Sequence, residues 1–166
     1  MNISSDMRDM EKDLEEKLIQ SDIVRMITVW SELFGAPIQE EKKLPTRDRE
    51  NLSYKLIEEE LQELFEAQNE RDLTAIQDAL GDLLWVVIRA MMEYGISPLS
   101  TIRSIYISNM SKLDTSFKDL LKSAMIYSNK GIETYYKQTE DGRYILKREL
   151  DDKILKSHKF KEPKFN

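Results

Sequence analysis

Leu56-Ile57-Glu58-Glu59-Glu60-Leu61-Gln62-Glu63-Leu64 is the stretch on which the reading of this chain turns. On a helical wheel of about 100° per residue, Leu56, Ile57, Leu61, Leu64, Phe65 and Ala67 form one apolar stripe. Glu58, Gln62 and Glu66 fall opposite it, where a solvated face belongs. Glu60 does not: it falls inside the stripe between Leu56 and Leu64, with Glu63 at the edge and Glu59 beside Glu63. A carboxylate aimed into a core costs on the order of several kcal/mol unless something neutralises it. The pattern calls for a partner.

The next helical segment answers with more acid, Asp78-Ala79-Leu80-Gly81-Asp82-Leu83-Leu84. Asp78 precedes Asp82 by one turn, so both project from one narrow face. Between Ala79 and Met92 the only charges are Asp82 and Arg89. Carboxylates on two neighbouring helices repel across a dry interior, and hard divalent cations relieve that repulsion. Oxygen-only ligands suit Mg²⁺ or Mn²⁺. The competing reading is plain: Glu58–Glu66 is a solvated face and the Asp78–Asp82–Arg89 line is the wet edge of an amphipathic helix.

Working outward, punctuation divides the chain into helices. Apolar positions repeat at helical spacing from about Ser5 to Leu33, ending in Ile23, Met26, Ile27, Trp30, Leu33 and Phe34, and Gly35-Ala36-Pro37 stops the segment. Thr46 is placed to cap the second helix, which runs to about Asn69, and Asp72 to cap a third reaching about Tyr94. Ser97-Pro98 opens a fourth that extends to about Leu113. Residues 116 to 128 read as a further helix. Glu133 to Lys147 suits a short hairpin or an irregular arm, and Lys153 to Asn166 an extended end. The expectation is a single all-α domain over 1–166. Its core is an antiparallel four-helix bundle-like unit over about 20–113, and a less regular C-terminal extension covers about 114–166.

Composition narrows the function. The chain has 166 residues, 40% hydrophobic content, a net charge of −6 and no cysteine. An acidic balance lacks the basic footprint of a duplex-binding protein, and absent cysteines exclude disulfides, thiolate zinc sites and a Cys nucleophile. The N-terminus, MNISSDMRDMEKDLEEK, has no apolar signal core, so a cytoplasmic protein is expected. His158 is the only histidine, too few for the paired Glu-x-x-His motifs of a di-iron bundle. No Gly-x-x-x-x-Gly-Lys loop is present, which excludes a P-loop NTPase. On the fourth helix, Asn109 and Lys112 share a face, an amide beside an ammonium suited to phosphate. Lys153 and Lys156 could bring further cations, and Trp30 or Phe34 could stack on a base. Against this, most Asn and Lys are simply exposed and most helical aromatics are core.

Taken together these segments resemble the all-α nucleoside triphosphate pyrophosphohydrolases, a superfamily that includes MazG, dimeric dUTPases and phosphoribosyl-ATP pyrophosphohydrolase. The superfamily pattern is Glu-Glu-x-x-Glu on one helix and Glu-x-x-Asp on the next. Glu59-Glu60-Leu61-Gln62-Glu63 matches the first half, and Asp78-Ala79-Leu80-Gly81-Asp82-Leu83-Leu84 resembles one branch of the second. Gly95-Ile96, Ser108-Asn109-Met110-Ser111-Lys112-Leu113, and the end Asp152-Lys153-Ile154-Leu155-Lys156-Ser157 with Pro163 follow in the order of that branch. The likeness covers roughly Trp30 to Leu113 and the tail. One departure stands out: where the superfamily often has Glu three residues before the Asp, this chain has Ala79, with Asp78 one position earlier.

The resemblance implies an Mg²⁺- or Mn²⁺-dependent hydrolase that cuts a (deoxy)nucleoside triphosphate into monophosphate and pyrophosphate. Glu60, Glu63, Asp78 and Asp82 would be metal ligands. Glu59, Glu60, Glu63 and Asp82 would be the catalytic set, with Glu59 ligating or handling the water. Asn109, Lys112, Lys153, Lys156 and Trp30 would contact substrate. A homodimer or homotetramer is expected, because the acid-bearing helices have apolar residues on nearly every side. Two alternatives stay open: phosphoribosyl-ATP pyrophosphohydrolase itself, and a non-catalytic helical module that binds a nucleotide or a partner.

Overall fold

The computed structural model describes residues 23–165. Five helices and one two-stranded sheet follow in order: α1 (Ile23–Phe34), α2 (Arg47–Glu70), α3 (Leu73–Glu93), α4 (Pro98–Met110), α5 (Phe117–Ser128), β1 (Thr134–Gln138) and β2 (Tyr144–Arg148). The fold class is all-α, as expected. The portion of the first expected helix before Ile23 lies outside the described residues. Contacts group the chain into two compact units, Met1–Leu99 and Ser100–Asn166, with the division falling inside α4.

In the first unit, α2 and α3 form a tight antiparallel pair. Arg71 takes the left-handed conformation (φ 57°), and the N–H groups of Arg71 and Asp72 donate to the last carbonyls of α2. The Asp72 side chain then accepts from the N–H groups of Thr74 and Ala75, so α3 starts two residues after α2 stops. Thr46 occupies the cap position of α2 without a side-chain cap bond. The inward line of α2 runs from buried Ser53 through half-buried Leu56, Ile57, Glu60 and Leu64 to buried Ala67, with steps of three or four residues apart from the adjacent Leu56 and Ile57. Leu61 and Phe65, expected in that stripe, are instead more than half exposed at 55% and 58%. They lie on the flank of α2 away from this line, one position beyond Glu60 and Leu64.

α1 joins through Ile27, which is fully buried and packs with Ile88 and Met92 of α3, and with half-buried Trp85. Gly95 closes the unit. It has φ 65°, and a Cβ there would stand 2.0 Å from the Glu41 carbonyl oxygen, so only glycine lets residues 39–43 lie along the end of α3. Gln39 and Lys43 donate their N–H groups to the Met92 and Tyr94 carbonyls across that contact.

The same end carries a buried ion network that the sequence reading missed. Glu93 is 2% exposed and receives Arg49 in a fork, 2.5 and 3.2 Å, and Arg89 at 3.2 Å. Ser53 donates to it at 3.4 Å. The Arg89 guanidinium also stands 5.0 Å from the centroid of the Trp30 ring, tying α1 into the network. Arg89 is therefore no wet edge of α3, since its charge is spent on Glu93.

In the second unit, Ser116 caps α5 by accepting from the Asp119 N–H. The arm after α5 is a regular antiparallel hairpin pairing Tyr136 with Leu146 and Gln138 with Tyr144. Leu146 meets Leu120 of α5 and Leu155 of the tail in a small core. α4 stops at Met110, short of the expected Leu113, and Asp114 then pairs through its backbone with Tyr144. The tail from Lys153 has no regular structure beyond a bridge of Ile154 to Lys147.

Replacing Glu93 with Ala strands two guanidinium groups and is expected to cost about 3 kcal/mol. Urea unfolding of Glu93→Ala beside exposed Glu40→Ala checks this, and equal midpoints for the two would refute it.

Candidate functional site

The tight connection sets the register of the acids. Glu60 and Glu63 lie roughly seven to ten residues before the end of α2, and Asp78 and Asp82 roughly five to nine after the start of α3. At about 1.5 Å per residue, the two acidic pairs stand at one height on adjacent antiparallel helices. Electrostatics shows the result at Glu60. Its carboxyl is pushed above the usual glutamate range, first by desolvation and then by the negative charges of Glu63, Asp82, Glu59 and Asp78. The other four acids singled out in the sequence thus all act on Glu60.

Their burial differs from the expected dry interior. Glu60 alone is half-buried, whereas Glu59, Glu63, Asp78 and Asp82 are exposed among the described residues. The reason is geometric: a two-helix layer leaves solvent on the side where the acids emerge, and only the line containing Glu60 faces inward. Asp78 and Asp82 border an open recess of about 550 Å³ along α3, lined also by Asp72, Thr74, Gln77 and Gly81.

The donor set fits a hard divalent cation in kind, being carboxylate oxygen throughout. The principal influences on Glu60 all raise its pKa, so crowding there is relieved by a proton or by an added cation. No three acidic or histidine side chains among the described residues are gathered as tightly as a finished metal cage. Asp78 stands one turn from Asp82, an i, i+4 pair on one side of α3. Ala79 is buried at 3% exposure and faces the helix packing.

The other expected site residues are placed as follows. In the second unit, Lys112 Nζ donates to Asn109 Oδ1 at 2.7 Å, so these two meet as expected. Lys156 is engaged elsewhere, 2.8 Å from Glu162 and over the Phe160 ring, and Lys153 is exposed. In the first unit, Trp30 stacks on Phe34 at 4.8 Å and meets Trp85 edge-on. Together with Arg25, Met26, Val29 and Leu33, the two tryptophans line an open apolar recess of about 470 Å³.

A model of the phosphoribosyl-ATP pyrophosphohydrolase family matches residues 30–109. Those residues are a domain of that family. It belongs to the MazG-like nucleoside triphosphate pyrophosphohydrolase superfamily, and membership supports a nucleotide pyrophosphohydrolase-type activity for the chain. The matched stretch runs from Trp30 to Asn109 and contains all five acids. No curated protein is significantly similar to the chain. None of the described helices is long and apolar enough to cross a membrane.

The raised Glu60 pKa has a stability consequence. In the folded, metal-free protein this group holds its proton more tightly than in the unfolded chain. Its contribution is therefore favourable below the ordinary glutamate range and is lost as pH rises through the folded value. Glu60→Gln is accordingly expected to raise the thermal midpoint of the metal-free protein at about pH 7, with the gain fading at about pH 4. A midpoint that falls at neutral pH on this substitution would contradict the assignment.

Proposed function

We propose that the protein hydrolyses a nucleoside triphosphate, ribo- or deoxyribo-, between the α and β phosphates. The products are a monophosphate and pyrophosphate, and the reaction depends on Mg²⁺ or Mn²⁺. The observation that carries this reading is the convergence of four further carboxylates on half-buried Glu60. The family of residues 30–109 supports the same class of reaction.

In this reading Glu60, Glu63 and Asp82 hold the cation, with Asp78 as the fourth donor. A bound divalent ion supplies polarisation of the phosphate oxygens, a more acidic water and neutralisation of the leaving group. Glu59, at the rim of the cluster, orients a water opposite the leaving pyrophosphate and takes its proton as the new O–P bond forms. The bond from the α-phosphorus to the bridging oxygen breaks, and the electron pair leaves on pyrophosphate. Asn109 and Lys112 contact phosphate or sugar, and Lys153 adds a further cation; Lys156 does so on release from Glu162. Trp30 takes the base on the ring face that exposed Phe34 covers, once Phe34 swings aside. Most of the rate then comes from positioning and fixed charge.

A second reading has phosphoribosyl-ATP as the substrate, favoured by the description of the matching family. The two share the bond cleaved and differ in what is attached to the base. A panel of ribo- and deoxynucleoside triphosphates together with phosphoribosyl-ATP, assayed for pyrophosphate with each metal, separates them. Glu63→Ala and Asp82→Ala are each expected to lower turnover by about a hundredfold or more, with the circular dichroism of the helices retained. Wild-type rates in both variants would end the proposal, and so would pyrophosphate release that persists in excess chelator.

We also propose a homodimer or a dimer of dimers in a cytoplasmic setting. Leu61, Phe65, Leu80 and Leu84 on the acid-bearing helices are each about half exposed or more, which supports a covering partner copy. Sedimentation at micromolar concentration is expected to give at least a dimer; a clean monomer would refute it.

A further inference from the structure

In the segment Ser108-Asn109-Met110-Ser111-Lys112, the polar residues form two pairs, each three residues apart: Ser108 with Ser111, and Asn109 with Lys112. The second pair is closed by the 2.7 Å hydrogen bond from Lys112 to Asn109. The first faces a different way. Ser108 is 5% exposed, and its hydroxyl donates to the main-chain carbonyl of Lys161 at 2.8 Å. Ser111 accepts the Lys161 N–H at 2.9 Å and donates to the Ser108 carbonyl at 2.6 Å. One turn at the end of α4 thus grips the peptide of a tail residue fifty positions away while presenting an amide and an ammonium beside it.

Other anchors hold the tail on its way to that grip. Ser157 donates to buried Asp114 at 2.6 Å. The Lys156 N–H donates to the Tyr127 hydroxyl, which in turn donates to the Lys156 carbonyl. Asp119 binds Lys159 at 2.7 Å and His158 at 2.9 Å; these bonds and that from Ser116 hold its carboxyl well below the ordinary range. All of these residues lie in the second unit. The segment carrying Asn109 and Lys112 therefore ends a helix whose last turn is fixed from outside, by main-chain bonds that do not depend on the tail's side-chain chemistry.

We infer that Ser108 and Ser111 are positioning residues that latch the C-terminal tail onto α4, so that Asn109 and Lys112 are held ready for the phosphates of the substrate. This rests on the substrate role given to those two residues above. The serines touch no substrate; they act through Lys112 and Asn109. Without the latch, the last turn of α4 is free to fray, and the Lys112 ammonium spends part of its time away from the amide.

The test is a double-mutant cycle on the full chain, read as KM and kcat for the best triphosphate of the panel. Ser111→Ala is expected to raise KM about fivefold, the worth of one ordinary hydrogen bond, with kcat little changed. Ser111 is half-exposed, so this variant folds more safely than Ser108→Ala. Lys112→Ala raises KM more. In the Lys112→Ala background, Ser111→Ala adds clearly less than it does alone, because one of the two groups it positioned is gone. Lys164→Ala, on the exposed tail, leaves both constants unchanged. If Lys112→Ala is effective but Ser111→Ala is silent or fully additive with it, the latch is overturned and the substrate reading stands. If Lys112→Ala leaves KM unchanged, the substrate role of the pair falls, and this inference with it.

Discussion

One conflict organises the first unit: a carboxylate on the inward line of α2, surrounded by four others. Packing of Leu56, Ile57, Leu64 and Ala67 holds Glu60 where water is scarce. The antiparallel register brings Asp78 and Asp82 to the same height. Neither helix can rotate to release Glu60 without exposing the apolar line that joins them. The repulsion is therefore built into the packing, and it adds to desolvation, the larger cause, in making Glu60 resist ionisation. A helix pair chosen for stability alone would place leucine there.

The other end of the same pair shows how such a charge is handled when the answer is structural. Glu93 is more deeply buried than Glu60, yet two arginines and a serine meet it. Its negative charge is balanced within the chain, and α1, α2 and α3 are pinned together as a result. Glu60 has no such escort among its principal neighbours. The contrast between two acids on one helix pair, one neutralised internally and one crowded by like charge, separates a scaffold from a site. Strain of this sort belongs where an external ligand is meant to relieve it.

How much of this was legible in the sequence depended on range. Glu60 stood out because it violates a period of 3.6 residues, a signal contained within ten residues. The cap at Asp72 and the end of the third helix near Tyr94 were legible for the same reason. Arg49 and Glu93 lie 44 residues apart, and no local pattern joins them. The only trace was Arg89 one turn before Glu93, an acid inside an apolar run. The exposure of Glu63 and Asp82 was misjudged because a wheel gives direction, whereas depth depends on how many layers lie above. The hairpin was half legible: Asp141-Gly142 marked its turn, but its register came from Leu146 finding Leu120.

The tail illustrates the last limit. Read alone, Lys153 to Asn166 is a string of cations with scattered Ser and Pro, and the natural inference is that its lysines do the work. In the folded chain the tail is tied down through other groups: a serine hydroxyl, a histidine ring, one lysine and several peptide units. Lysine side chains point in many directions at little cost, so a lysine-rich composition says little about geometry. Peptide bonds gripped by buried hydroxyls do define geometry, and they do so without leaving a compositional mark. The physical content of the segment lies in where its backbone is held, and that placement is what gives a motif on α4 two faces with two different jobs.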